Sequence, residues 1–475
     1  MPRKDEDAAS NPDWTTSHAL VSTTPTPAAS GAGASQQTVP ARVERGAQRG
    51  SMWRALKHRN FKLFVSGQSI SLIGTWMTRL ATSWLVYRLT HSAILLGIVG
   101  FAGQILTFVL APFAGVWVER MDRRKVLVWT QAAAAVQSLG LAWLTISGKI
   151  TIGEIVVLSA LQGLINAFDM PARQAFTVQM VEGRADLGNA IALNSSMVNA
   201  ARLVGPALAG LVIGWTGEGW CFLIDGLSYF AVIASLAMMR VPALANRSQG
   251  TTMLVQMREG WDFVAGFRPI RTVLLLFAIL SLMGWPYAVL LPIFAGQVLH
   301  GGPHTLGWLT GASGVGALGA ALALAARKSV VGLTRQIQVA AALFGASLIL
   351  FGMSHVLWIS LLLMLGVGWS MMTGLAASNT IVQTLAPEDK RARVMSYYTM
   401  AFVGMAPFGS LLAGGLAQRM GAPHTVMLTG ACCILGAAWY STELPKIRLV
   451  MRPIYERMGL LRGADEPAVA EQAAR

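Results

Sequence analysis

The sequence predicts an all-α membrane protein whose twelve transmembrane helices form two six-helix pseudo-repeats. Three observations carry this. The 475-residue chain is 54% hydrophobic and only 12% charged, whereas soluble domains give about a quarter of their residues to charge. Its apolar residues gather into runs long enough to cross a bilayer, which takes roughly 20 residues at about 1.5 Å each. Residues of the first half recur in the second at one constant offset of 204 positions.

In chain order, residues 1–50 are rich in Ser, Thr, Ala, Pro and Gly and hold no apolar segment. They predict a disordered cytoplasmic arm, not a signal or transit peptide. A first six-helix bundle occupies 51–240, with spans at 64–87, 93–118, 126–147, 152–172, 188–215 and 219–239. The polar stretch 241–271 is the central cytoplasmic loop. Within it Met253, Met257, Trp261 and Phe267 share a helical face, away from Arg258, Glu259 and Asp262; this suits a helix lying on the membrane surface, and a plain linker fits equally well. A second bundle fills 272–445, with spans at 272–298, 306–326, 336–354, 357–383, 395–418 and 425–442, and 446–475 form a cytoplasmic tail.

The net charge of +15 raises the question of nucleic acid, and the placement of the charge answers it. Even-numbered connections carry Arg120, Arg123, Arg124, Lys125, Arg184, Arg240, Arg247, Arg258, Arg268, Arg271, Arg327, Lys328, Lys390, Arg391 and Arg393, while odd-numbered ones hold little beyond Arg88, Lys149 and Arg419. That asymmetry is the positive-inside pattern of a plasma-membrane (cell inner membrane) protein with both termini cytoplasmic. The expected partners are membrane lipids, through basic flanks such as Arg54, Lys57, Lys446 and Arg448, and no nucleic acid.

The repeat pairs Gly115 with Gly319, Arg123 with Arg327, Gln179 with Gln383, Gly205 with Gly409 and Gly210 with Gly414. Cys221, Cys432 and Cys433 lack metal or disulfide spacing. No P-loop, HExxH or GxSxG motif occurs, so the sequence predicts no metal, no cofactor and no enzyme, and transport would draw on an ion gradient.

Two motifs remain. GVWVERMDRRK, residues 115–125, sets both signs of charge between two apolar runs. Through Gly115, Arg120, Arg123, Arg124 and Lys125 it resembles the loop between spans two and three of the major facilitator superfamily, with Glu119 where that family has Asp and Asp122 where it has Gly. The second motif, NAARLVGPALAG (199–210), resembles the superfamily's antiporter motif through Gly205, Pro206 and Gly210, with Asn199 and Arg202 inside the match. Small residues there let helices approach, and Pro206 removes a backbone hydrogen bond and creates a bend. The stretches 67–100, 168–176, 192–210 and 222–230 further resemble the enterobactin exporter-like, transmembrane secretion effector branch, a likeness that covers residues 52–445. The resemblance implies alternating access about a mid-membrane site between the halves.

Charges within spans are the candidate functional residues, because each costs roughly 2.5–3.5 kcal/mol to insert. Three stand out: Arg79 in span one, Arg202 in span five and Asp225 in span six. Arg79 and Asp225 lie roughly 13 and 9 Å from the outer surface, close enough for either a proton-coupling element or a permanent ion pair. Asp169 and Arg173, flanking Pro171, read as a gate or hinge that water reaches. Trp76, Trp84, Trp285, Trp308 and Trp369 are candidates for a pocket wall or for lipid-facing packing. The resemblance implies a secondary transporter that exports a small amphipathic organic compound, siderophore-like or drug-like, driven by inward proton movement, and a monomer is expected. A small-metabolite importer of the same fold and a non-transporting scaffold are the alternatives.

Overall fold

A computed structural model of the chain describes residues 54–180, 184–239, 253–327, 329–388 and 390–457. The arm 1–50, residues 240–252 of the central loop, Lys328 and the tail beyond 457 lie outside the described residues. The described part holds helices and no strand.

The first half contains α1 (Arg59–Thr90), α2 (Ala93–Arg120), α3 (Arg123–Ile146), α4 (Ile152–Gln179), α5 (Arg184–Thr216) and α6 (Glu218–Met238). A shorter helix, α7 (Met253–Gly266), follows. Span seven is composite: α8 (Arg268–Ile279) and α9 (Tyr287–Ile293) are joined and extended by π-helical turns, in which Trp285 N–H bonds the Leu280 carbonyl and Leu299 N–H that of Phe294. Then come α10 (Pro303–Ala325), α11 (Leu333–Met353) and α12 (Leu357–Leu385). Span eleven divides into α13 (Arg391–Val403) and α14 (Ala406–Met420), with Pro407 in the first turn of α14, where its missing N–H costs nothing. The last helix is α15 (Ala422–Arg457).

Eleven of the described spans are long and apolar enough to cross a bilayer. The twelfth, α1, has the length, 32 residues, but carries Gln68, Arg79 and many Ser and Thr. It packs against α5 and α6 within its own half and touches α9 and α10 of the other, so its polar side is turned inward. Outward-facing side chains are apolar: Trp129, Trp215, Trp358 and Leu362 are 74%, 80%, 76% and 69% exposed. That surface belongs against lipid, not water.

Two boundaries differ from the sequence reading. Span four does not end at 172; α4 continues through Pro171 to Gln179, since a membrane helix tolerates a proline whose freed carbonyl is satisfied by neighbours. Residues 446–457 continue α15, whose 36 residues reach about 54 Å, well beyond the hydrocarbon.

Four glycines show how the halves meet. A Cβ on Gly210 would stand 2.9 Å from Pro303 O and 3.3 Å from Gly307 Cα, so α5 touches α10 backbone to backbone. A Cβ on Gly414 would stand 2.7 Å from Ala93 O and 2.9 Å from Gly97 Cα, which joins α14 to α2 in the same way. The second repeat pair does a different job within each half: Gly205 seats α5 on α1 at Trp76, and Gly409 seats α14 on span seven at Leu282 and Pro286. Offset-related residues therefore make span-equivalent contacts, as a duplicated six-helix unit requires.

Both backbone seams between the halves lie at the arginine-poor end. Gly115 is 18 residues, five turns, beyond Gly97 and so on the same stripe of α2; Gly188 is about six turns from Gly210 on α5. A Cβ at Gly115 or Gly188 would meet nothing within 4 Å. The stripes that lock one end thus face open space at the arginine-rich end.

Candidate transport site

Between the halves lies a cavity of about 370 Å³, walled by parts of α1, α2, α3, α4 and α5 from one half and of span seven, α10, α12 and α14 from the other. Its charged lining residues are Arg79 and Arg202; no Asp, Glu, Lys or His lines it. Arg79 is exposed, and the surface it exposes is cavity wall. Both guanidinium groups lie over the Trp76 ring, at 4.9 Å for Arg79 and 5.7 Å for Arg202, and Arg202 also stands 5.9 Å from the Trp285 ring. The close seat of Gly205 on α1 brings Arg202 to this ring: a Cβ there would fall 2.5 Å from Trp76 Cβ.

The Arg79–Asp225 ion pair does not form, because no carboxylate lies within 4.0 Å of Arg79 among the described residues. Depth was not the obstacle; rotation was. Asp225 is 1% exposed and abuts α1 at Gly74, where a Cβ would stand 2.8 Å from Oδ1, with Thr75 and Thr78 beside it. Arg79 is one residue past Thr78, which turns it about 100° toward the cavity. Ser138 Oγ donates to Asp225 Oδ2 at 2.8 Å, while Oδ1 has no hydrogen-bond partner. Ser138 also lies 3.4 Å from Gln137 Oε1, and Gln137 and Thr78 line the cavity, so Asp225 sits one side chain behind its wall.

Asp169 and Arg173 require a correction. They form an i,i+4 ion pair within α4, but Asp169 is only 3% exposed, and water does not reach it freely. Thr130 Oγ1 and Gln131 Nε2 donate to the same carboxylate oxygen at 2.9 and 2.8 Å, which ties α3 to α4. Both Asp169 oxygens are thus bonded beside Pro171, while Gln131 Oε1 is left without a partner.

In the 115–125 loop, Asp122 caps α3: its Oδ1 accepts from Arg124 N at 3.0 Å and Lys125 N at 3.3 Å. The acid standing where the superfamily has Gly thus satisfies two free N–H groups of a helix start. Arg124 donates to the Ala237 carbonyl at 2.8 Å, binding the loop to the end of α6. Glu119 belongs to the last turn of α2, with its side chain outside the described residues; Arg120 and Arg123 occupy the same junction. In the antiporter-like motif Asn199 donates to Ser195 O at 2.9 Å, and Pro206 lines the cavity with Arg202.

Of the tryptophans, Trp76 and Trp285 line the cavity. Trp84 is core, while Trp308 and Trp369 are partly exposed and outside the lining. Sequence reasoning missed Arg88, whose guanidinium holds the buried Glu218 at 2.7 and 3.1 Å and staples the end of α1 to the start of α6. It missed the Arg393–Glu259 pair, which with the Trp261–Tyr397 contact at 5.7 Å docks α7 on α13. It also missed the neutral polar wall of Gln104, Gln137, Gln162 and Asn166. The available signal was Gln162 and Asn166, four residues apart on one face of α4 and hydrogen-bonded at 3.2 Å.

A cavity shared by two six-helix units, among helices long and apolar enough to cross a bilayer, is the arrangement of a multi-pass membrane transporter. A family profile described as transmembrane secretion effector matches residues 50–455, and the chain belongs to that family of the major facilitator superfamily. It is 24% identical to the staphyloferrin A transporter of Staphylococcus aureus (strain NCTC 8325 / PS 47), over 82% of this chain and 98% of that protein. It is 26% identical to the multidrug efflux pump Tap of Mycolicibacterium fortuitum, over 79% and 93%. In fold it matches a bacterial homolog of the human lysosomal transporter Spinster in an inward-facing, unoccupied conformation, with a TM-score of 0.63 and 13% identity over 81% of this chain and 96% of that one.

Proposed function

We propose that the protein is a proton-driven exporter of small amphipathic organic compounds, monomeric in the plasma membrane, with both termini cytoplasmic. The observation that carries this is the central cavity between the halves, closed by glycine seams at the arginine-poor end, with no close backbone approach at Gly115 or Gly188 toward the arginine-rich end. Placing the arginine-rich loops in the cytoplasm, as the positive-inside pattern favours, makes that looser end the inward one, from which an exporter would load. Family membership and relatives named for siderophore transport and multidrug efflux favour outward movement.

Proton coupling falls to Asp225. It is buried, it lies one side chain behind the cavity wall, and its Oδ1 is free to take a proton and donate it to a neighbouring hydroxyl. Asp169, the other buried span carboxylate the sequence singled out, already has an arginine and two neutral donors. The test is a metabolite comparison of medium from cells with and without the protein, followed by transport of the released compound in everted vesicles. Acidifying the vesicle interior should drive accumulation inside; accumulation driven by the opposite gradient would make the protein an importer.

A further inference from the structure

We propose that the cavity selects organic anions: a carboxylate of the substrate sits between Arg79 and Arg202, and its apolar or aromatic body lies on Trp76 and Trp285. The inference rests on the cavity being the transport site and adds the charge of what it carries.

Two guanidinium groups share this cavity with no acid in its wall, and Asp225 acts on Arg79 only from behind that wall. Among the described residues Arg79 donates no hydrogen bond, and Arg202 donates one, to Met371 Sδ at 3.9 Å. Their remaining contacts are ring faces. A guanidinium has five N–H donors in a planar fork that suits a carboxylate, and a sulfur and two rings leave most of them unused. The nearest candidate acid, Asp225, is engaged with Ser138 on the far side of the wall. The two cations repel each other as well. Two like charges facing each other in a low-dielectric site persist only if something neutralises them, and the empty fork-shaped donors face the space where substrate would lie.

The remaining wall completes the chemistry. Trp76 and Trp285 offer flat surfaces next to the cations, and Gln104, Gln162 and Asn166 across the cavity offer neutral donors and acceptors for further oxygens. A cationic amphiphile of equal size would meet two positive charges and no negative one, so the same arginines reject it.

Equilibrium dialysis of the full-length protein in nanodiscs tests this with three probes of one shape: 2-naphthoate, neutral 2-naphthamide and cationic 2-naphthylmethylammonium. Wild type should bind the carboxylate most tightly and the ammonium least. Arg79→Gln and Arg202→Gln should each weaken the carboxylate by about 10- to 100-fold, the scale of one charge-assisted hydrogen bond, and leave the amide unchanged. Lys at either position should restore part of the loss. Absence of a carboxylate preference in wild type, including no binding of any probe, overturns the proposal, as does carboxylate affinity untouched by both Gln changes. Should a Gln variant not fold, the wild-type ranking and the Lys variants decide. Binding in the expected order without movement in vesicles keeps the anion site and sinks the export reading, whereas transport of cations alone does the reverse.

Discussion

Asp225 and Asp169 are both buried carboxylates, and their surroundings separate their roles. Asp225 accepts from Ser138 and leaves Oδ1 unpartnered, whereas Asp169 is bound by Thr130, Gln131 and Arg173. Asp225→Asn keeps the shape and strands no arginine, so thermal stability and probe binding should change little while proton-driven accumulation is lost. A stable variant that still exports against a gradient removes the coupling role. Asp169→Ala leaves Arg173 and two donors without their acceptor, a class of change that costs about 3–5 kcal/mol in soluble proteins. Its unfolding midpoint in detergent should fall by several degrees, and an unchanged midpoint contradicts the structural role. The sequence exposed which charges enter the membrane but not which way each points. A one-residue step turns a side chain by about 100°, and that step sends Arg79 to the cavity and Thr78 to Asp225. Partners far apart in sequence, such as Arg88 and Glu218, were invisible for the same reason: their pairing depends on how α1 and α6 are rotated, not on either segment alone.

At the scale of helices, the two glycine seams decide which end is closed. A Cβ on Gly97 alone would meet Ser410 O at 2.6 Å and Gly414 Cα at 3.1 Å, both backbone atoms that cannot turn aside. Gly97→Val should therefore part α2 from α14 and favour the state open at the arginine-poor end. In a background without Cys221, Cys432 and Cys433, a cysteine replacing the cavity residue Ser83 should then react faster with an impermeant maleimide applied outside; an unchanged rate counts against the seam as a gate. The 204-residue offset made the duplication legible, because glycine pairs such as Gly205 with Gly409 recur at it and each pair makes equivalent helix contacts. Helix ends were less legible. Span four reads as ending at 172 but α4 runs on through Pro171 to Gln179, and the basic end of α15 reads as tail but remains helical to Arg457. Both follow from neighbours and length that a local pattern does not contain.

For the molecule as a whole, charge, seams and cavity point the same way. Toward the arginine-rich end a Cβ on Gly115 or Gly188 would meet nothing within 4 Å, whereas the other end is closed by Gly97 with Gly414, Gly210 with Gly307, and a Ser92 hydroxyl bonded to Gln418 at 3.3 Å. The cavity between them is reachable from one side at a time only if the halves rock about it. Electron–electron double resonance tests this directly, with one label pair at Trp117→Cys and Thr399→Cys on the arginine-rich end and another at Leu89→Cys and Met420→Cys on the opposite end, again without the native cysteines. The account predicts a wide first distance with a narrow second one at rest, and a second population with the two reversed that grows on acidification. Two distances that stay fixed, or that widen together, would contradict alternating access.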